Sequence, residues 1–324
     1  MIGDSAGGAM TLRRASGITG AAIYPSVQVK FYTRSSPAKG KATMAVTQNQ
    51  VLEALKRVKG PDLSGNIVDL GLVSEVLIKD GKAYFSITVP ARRAEELAEE
   101  AARLGLEALA LTDRDGLYGI VAAHVRAQEL DFRLLVGSQV TVDAGQLVLL
   151  VETLEGYRNL CRLLTAGRLR SPKGECQVTL EEVCQRHRGL LALWAPGVSL
   201  GPLRQAFRDR LYARVARHRL ARQAAQEDEL RASGLPLVAA PEVLYHQPSR
   251  RPLQDVLTCI RYRVTLASAG RLLRPNAEYG LASPEEMAEL YADLPEALEA
   301  TREIARRCRF SMLELRYVYP AEQL

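Results

Sequence analysis

The stretch "LALTDRDGLYG", residues 109–119, decides how this chain is read. An apolar run enters Thr112, Asp113, Arg114 and Asp115, and Gly116 opens the next segment. Carboxylates at the end of a buried strand are where an α/β enzyme places a metal. The residues before it, "RAEELAEEAARLGLEALALTD" (93–113), predict an amphipathic helix, a stop at Gly105 and then that strand. "GLYGIVAAHVRAQEL" (116–130) predicts a second helix, and "FRLLVGSQVTV" (132–142) and "LVLLVET" (147–153) predict two more strands. "EGYRNLCRLLTAG" (155–167), "TLEEVCQRH" (179–187), "GLLALWA" (189–195) and "GLPLVAA" (234–240) continue the alternation. Such alternation argues for an α/β barrel or a layered α/β domain. The last segment, "SPEEMAELYADLPEALEATREIARRC" (283–308), predicts a helical cap.

The composition is that of a water-soluble protein, with 47% hydrophobic and 25% charged residues and no apolar run of membrane-spanning length. The five cysteines (Cys161, Cys176, Cys184, Cys259 and Cys308) include no C-x-x-C pair. This argues against a zinc or redox motif and suits a cytoplasmic location. The net charge is +6, but residues 1–43 carry +5 of it, so the rest of the chain is close to neutral. Charge alone gives little support for a DNA-binding face.

Residues 1–43 read as a largely disordered basic leader. It is acid-poor and contains Arg and Ser, as a transit peptide does, but reads better as a tag-like or spuriously translated extension. It holds "GDSAGG" (3–8), which matches a G-x-S-x-G elbow at Ser5 and resembles esterase relatives of hormone-sensitive lipase. With only Met1 and Ile2 before it, no strand supplies the strained turn that lifts such a serine. Residues 44–92 form a small α/β module. "TQNQVLEALKRVKG" (47–60) predicts a helix capped by Thr47 and stopped at Gly60, and Asp80-Gly81 marks a hairpin.

The segment "VLEALKRVKGPDLSGNIVDLGLVSEVLIKDGKAYFSITVPA" (51–91) resembles the N-terminal domain of Mrp-type (ApbC-type) iron–sulfur carrier ATPases. The resemblance implies a role in iron–sulfur cluster assembly. The P-loop and the cluster-holding cysteine pair of that family have no counterpart here, and "TVPARR" (88–93) lacks the thiol some relatives carry.

Residues 93–320 resemble the PHP (polymerase and histidinol phosphatase) domain of bacterial C-family DNA polymerases, in their error-prone, alpha-type branch, within a domain read as 93–324. "LGLEALALTDRDGLYGIVAAH", "EGYRNLCRLLTAGR", "PKGECQVTLEEV" and "LYHQPSRRPLQDVLTCIR" carry the resemblance. It implies a distorted (βα)7 barrel whose competent members bind manganese, zinc or magnesium at the C-terminal strand ends. It also implies polymerase or mutasome proteins and DNA as partners, and no membrane. Position by position the ligand set is depleted. No histidine precedes His124, so the family's first histidine pair is missing. Asp113 remains, Arg114 replaces the histidine beside it, and Gln139 stands where the family has a glutamate. "APEVLYH" (240–246) retains Glu242 alone. A guanidinium is always protonated and repels metal. These four are therefore vestigial positions, no cofactor is expected, and Arg114 is expected to pair with Asp113 or Glu242 instead.

The other candidates read as structural. His124 and Trp194 suit packing, while His187 and His218 adjoin arginines and read as solvated. "RQAFRDRLYARVARHRLAR" (204–222) has seven arginines and reads as a solvated helix or edge strand, or as a phosphate contact. The barrel's missing first strand leaves an edge that "KAYFSITV" (82–89) is expected to fill. No palm carboxylates follow within 324 residues, so the chain alone is expected not to polymerise DNA. The leading expectation is a non-catalytic scaffold. An iron–sulfur accessory protein or a residual metal-dependent phosphoesterase (3′–5′ exonuclease) are the alternatives.

Overall fold

A computed structural model describes residues 10–12, 27–31, 47–57, 65–66, 68–69, 73, 75–79, 82–87 and 93–316, except 144, 222 and 263. The chain divides into two compact units, Met1–Ala91 with Pro252–Pro275, and Arg92–Arg251 with Asn276–Leu324.

In the first unit, β1 (Met10–Leu12), β2 (Val27–Phe31), β3 (Leu77–Lys79) and β4 (Lys82–Ile87) form one sheet in the order β1-β2-β4-β3. The leader is therefore not without strands. Residues 27–31 alternate apolar and polar, and β2 pairs antiparallel with β4, Val27 opposite Ile87. Helix α1 (Gln48–Leu55) begins as its sequence says: Thr47 Oγ1 accepts from Gln50 N–H, and Gln50 Oε1 accepts from Thr47 N–H at 2.9 Å. Lys79 stands opposite Lys82 in the predicted hairpin. Helix α1 ends at Leu55, capped at Lys56, before the Gly60 at which its sequence predicts a stop; Gly60, the Asp80-Gly81 turn and the Ser5 elbow lie outside the described residues.

The second unit opens with α2 (Arg93–Arg103). Ala94, Ala98 and Ala101 recur at helical spacing and are buried, while Glu95 and Glu96 face the positive helix start. Gly105, at φ +74°, ends the segment in the left-handed region. Then come β5 (Ala108–Arg114), α3 (Ile120–Glu129), β6 (Arg133–Val142), β7 (Gly145–Val151), α4 (Leu154–Arg170), α5 (Leu180–Gln185) and β8 (Leu190–Trp194). They are followed by α6 (Leu200–Phe207), β9 (Leu211–Val215), α7 (Gln223–Ala232) and β10 (Leu237–Ala239). Helices α8 (Arg251–Tyr262) and α9 (Leu266–Ala269) fall almost wholly in the first unit, and α10 (Pro284–Leu290) and α11 (Pro295–Arg307) complete the second.

The six strands form one curled, half-barrel sheet in the order β10-β9-β8-β7-β6-β5. Pairing is parallel except on both sides of β7. Both faces are apolar. One carries Val136, Leu149, Leu190, Ala192, Leu211 and Ala213 against side chains of α2 to α7. The other, the inner face, carries Leu135, Val148, Leu150, Leu191, Leu193, Tyr212 and Val238, and Ala300 and Ile304 of α11 pack into it. All five residues of β8 are buried, as expected of a strand with helices and helix cap on its two sides. Each such leucine contributes about 1.5–3 kcal/mol by leaving water.

Two expectations are corrected. Segment 82–87 does not replace a barrel strand: β4 lies in the four-stranded sheet, and β5 is an edge whose one partner among the described strands is β6. The arginine-rich stretch does not form a solvated edge. Strand β9 lies inside the sheet, with Leu211, Tyr212, Ala213 and Val215 buried. Its arginines reach past the strand ends and donate to carbonyls, as Arg210 does to His187 and Leu190, both at 2.7 Å.

Candidate functional site

Successive strand residues point to opposite faces. That rule separates the two residues at the end of β5. Asp113 shares the helix-covered face with Leu111, and its Oδ2 accepts from Gly119 N–H at 2.7 Å, at the start of α3. The carboxylate thereby satisfies an open donor at a helix N-terminus. Arg114 belongs to the inner face, opposite Gln139 of β6, and Gln139 in turn lies opposite Val148. Gln139 donates from Nε2 to Gln146 Oε1.

Arg114 does not pair with Asp113 or Glu242. Its Nε lies 3.7 Å from Asp115 Oδ2. Glu242 follows β10 and is half-buried, and its N–H donates to His218 Nε2 at 3.1 Å. Of the four predicted vestigial positions, the structure sets Arg114 beside Gln139 and turns Asp113 away from both. A guanidinium and a carboxamide do not fit a divalent cation, and no group of three or more His, Cys, Asp or Glu converges among the described residues.

The residue that organises the loop is Asp115, which the sequence did not single out. It is buried at φ 54°. Its carboxylate accepts from Thr141 N–H at 2.6 Å and from Thr141 Oγ1 at 2.9 Å. Its own N–H donates to Gln139 O at 2.9 Å, and its carbonyl accepts from Arg168 Nη2 at 2.7 Å. Ser138 Oγ donates to Asp113 O at 2.9 Å and accepts from Gly116 N–H at 3.3 Å. The Asp-Gly pair at 115–116 is the local signal, since aspartate tolerates the left-handed region. Asp115→Ala is expected to destabilise the second unit by about 2–3 kcal/mol, by adding backbone strain and leaving Thr141 without its acceptor. Asp115→Asn, which tolerates the same φ, should lose less; chemical denaturation of both variants measures the difference.

The remaining candidates are structural. His218, expected to be solvated, is buried and stacks on Tyr279 with ring centroids 4.1 Å apart. His187 is half-buried with Nδ1 2.7 Å from Arg210, and burial, then Arg210, hold its pKa below the usual value. His124 lines a small cavity of about 210 Å³ beside Cys308 and Phe310. Trp194 is buried in the core and donates from Nε1 to Val198 O at 2.7 Å. Burial pushes the Cys308 thiol up to about 12 and raises those of Cys161, Cys176 and Cys184, which disfavours their thiolates.

Comparison with known proteins agrees with this architecture. The PHP domain family model matches residues 83–229, and the iron–sulfur cluster assembly protein model matches residues 48–113. The two overlap over 83–113, from within β4 through α2 into β5. The error-prone DNA polymerase of Anaeromyxobacter dehalogenans is 41% identical over 260 residues, covering 74% of this chain and 23% of its own. That of Pseudomonas aeruginosa is 43% identical over 248 residues, covering 74% of this chain and 24% of its own. The chain thus spans about a quarter of the length of these relatives. An amidohydrolase structure from Chromobacterium violaceum is 28% identical over 24% of this chain and 28% of its own, at a TM-score of 0.21, too distant to carry an argument. A PHP domain, preceded and overlapped by an iron–sulfur cluster assembly protein region, is therefore what this chain contains, and its similarity is to error-prone DNA polymerases.

Proposed function

We propose that this chain is the PHP portion of an error-prone, alpha-type DNA polymerase subunit and serves there as a non-catalytic scaffold for translesion synthesis. Its domain limits are a leader at 1–43, the small module at 44–92 and the PHP barrel at 93–324. Its partners are polymerase or mutasome proteins and DNA, in the cytoplasm. No helix among the described residues is long and apolar enough to cross a membrane. One observation carries the scaffold reading: at the end of β5 the inner face presents Arg114 opposite Gln139, while the carboxylate of Asp113 serves the start of α3. Hydrolysis of a phosphodiester needs clustered ligands to activate water, and this donor set does not supply them. The full chain is expected to show the same melting temperature in manganese as in chelator, and no manganese-dependent hydrolysis of single-stranded DNA. Stoichiometric zinc or manganese in the purified protein, together with metal-dependent hydrolysis, would overturn the reading.

The match of residues 48–113 to the iron–sulfur cluster assembly protein family favours a second reading, an accessory role in cluster assembly. Against it, the five cysteines include no C-x-x-C pair. Anaerobic reconstitution with iron and sulfide decides between the two: visible absorbance that persists through gel filtration supports the second, and a colourless protein the first.

A further inference from the structure

Tyr118 is the most exposed aromatic side chain among the described residues, at 71%. An aromatic ring in water is usually free to turn, but this one is held. A β-carbon at Gly116 would fall 2.3 Å from Tyr118 Cε2, so the ring lies against the backbone of Gly116. Arg168 of α4 donates from Nη2 to the phenol oxygen, and its guanidinium carbon lies 5.7 Å from the ring centroid. Arg168 is itself fixed, by Asp115 O at 2.7 Å and Glu175 O at 3.2 Å. All three acceptors are uncharged oxygens, so these bonds leave the guanidinium charge in place.

The surroundings add charge of the same sign. Lys173 is exposed on the loop that Arg168 grips, whereas the charge of Arg114, 41% exposed at the other end of the turn, is partly offset by Asp115 Oδ2 at 3.7 Å. The nearby acids are mostly turned inward. Asp115 is buried against Thr141 and Asp113 serves α3, which leaves Glu175 as the exposed acid of the 171–177 loop.

We infer that Tyr118, with Arg168 at its hydroxyl, is a stacking platform for single-stranded nucleic acid. A fixed aromatic face beside a retained guanidinium offers a splayed base a π-surface and its phosphate a cation. A duplex keeps its bases stacked on one another and has no free face to offer. Val121 at 62% and Val125 at 52% exposure continue along α3 from Tyr118, so a protein partner is the competing occupant. The choice of nucleic acid rests on the polymerase reading above.

Fluorescence anisotropy of the full chain with a labelled oligothymidylate of about 20 nucleotides, in low salt with chelator, tests the inference. Tyr118→Ala is expected to weaken binding about tenfold, the loss of one stacked base, and Tyr118→Phe to retain most of it. Gly116→Ala is the sharper probe. Its φ is not in the left-handed region, so the backbone accepts alanine, and the new methyl displaces the ring without changing any charge. It should weaken binding as Tyr118→Ala does, at an unchanged melting temperature. No binding by the wild-type chain, equal affinity in Tyr118→Ala, or equal loss on duplex DNA overturns the platform. So does a Tyr118 effect confined to co-purification of a polymerase protein, which would assign the ring to a protein interface. Because chelator is present throughout, manganese-dependent hydrolysis would refute the scaffold reading and leave this binding result standing.

Discussion

Arg217→Ala is expected to lower the melting temperature of the full chain by about 6–12 °C, which corresponds to about 3 kcal/mol for a domain of this size. Arg217 follows β9, and its side chain is 13% exposed. It forks onto Glu227 of α7, with Nε–Oε1 at 2.8 Å and Nη2–Oε2 at 2.7 Å. It also forks onto Asp293, at 2.5 and 2.9 Å, and donates to Leu290 O at 2.7 Å. Its guanidinium carbon stands 5.0 Å from the centre of the Tyr291 ring. The Tyr291 hydroxyl donates to Val215 O at 3.0 Å and accepts from Arg217 N–H at 3.2 Å. One side chain thus ties the end of β9 to α7 and to the turn between α10 and α11. Alanine leaves the mostly buried Glu227 without its counter-charge, the costly way to break a buried pair. Arg217→Lys keeps the charge without the planar fork and should recover part of the loss.

The same clasp sets an acid limit. Hydrogen bonding to Arg217 is the main cause that lowers the Asp293 pKa, from 3.8 to about 2. A depressed carboxylate contributes stability above its unfolded value and loses it as pH falls through the folded one. The Asp293 contribution is therefore present above about pH 4 and gone near pH 2. Removing Arg217 should flatten that part of the stability profile, and melting curves across the window check it.

Gly156→Ala is expected to cost about 3 kcal/mol or more, enough to show as loss of soluble protein at elevated temperature. Gly156 occupies the first turn of α4, where its N–H donates to Thr153 Oγ1 at 3.3 Å. A β-carbon there would lie 1.8 Å from Gly189 O and 2.4 Å from Gly189 C. The Gly189 carbonyl cannot retreat freely, because it accepts from Glu152 N–H at 2.9 Å. Gly189 itself sits at φ +69°, and its own β-carbon would meet Thr153 Oγ1 at 2.3 Å. Two glycines therefore let the start of α4 lie against the approach to β8. Gly201→Ala is the control. It lies in the first turn of α6 with nothing within 4 Å, and should be neutral or stabilising by up to about 1 kcal/mol. Thermal denaturation of the two variants side by side separates a helix-propensity effect from a backbone clash.

Elements whose signals are local can be read from the residues alone. Helix α2 and its stop at Gly105, the Thr47 cap, the hairpin register and the alternation of strands and helices all follow from residues a few positions apart. The residue types at Arg114 and Gln139 were legible in the same way, and neither is a usual ligand of a divalent cation. The direction of Asp113 was not legible. Both faces of β5 are apolar, Leu109 and Leu111 on one and Ala108 and Ala110 on the other, so hydrophobic pattern cannot say which faces the barrel interior. Only packing against Ala94 and the Gly119 amide decides it. While Arg204, Arg208 and Arg219 are exposed as expected, Arg210, Arg214 and Arg217 misled for a related reason. Their charge looks like surface, but the guanidinium's long stem reaches carbonyls and acids that lie far away in the chain, as from Arg217 to Asp293. His218 and Asp115 belong to the same class, because their partners at Glu242 and Thr141 are 24 and 26 residues away. Local periodicity specifies elements, while the burial of a polar group depends on partners that only the folded chain brings within reach.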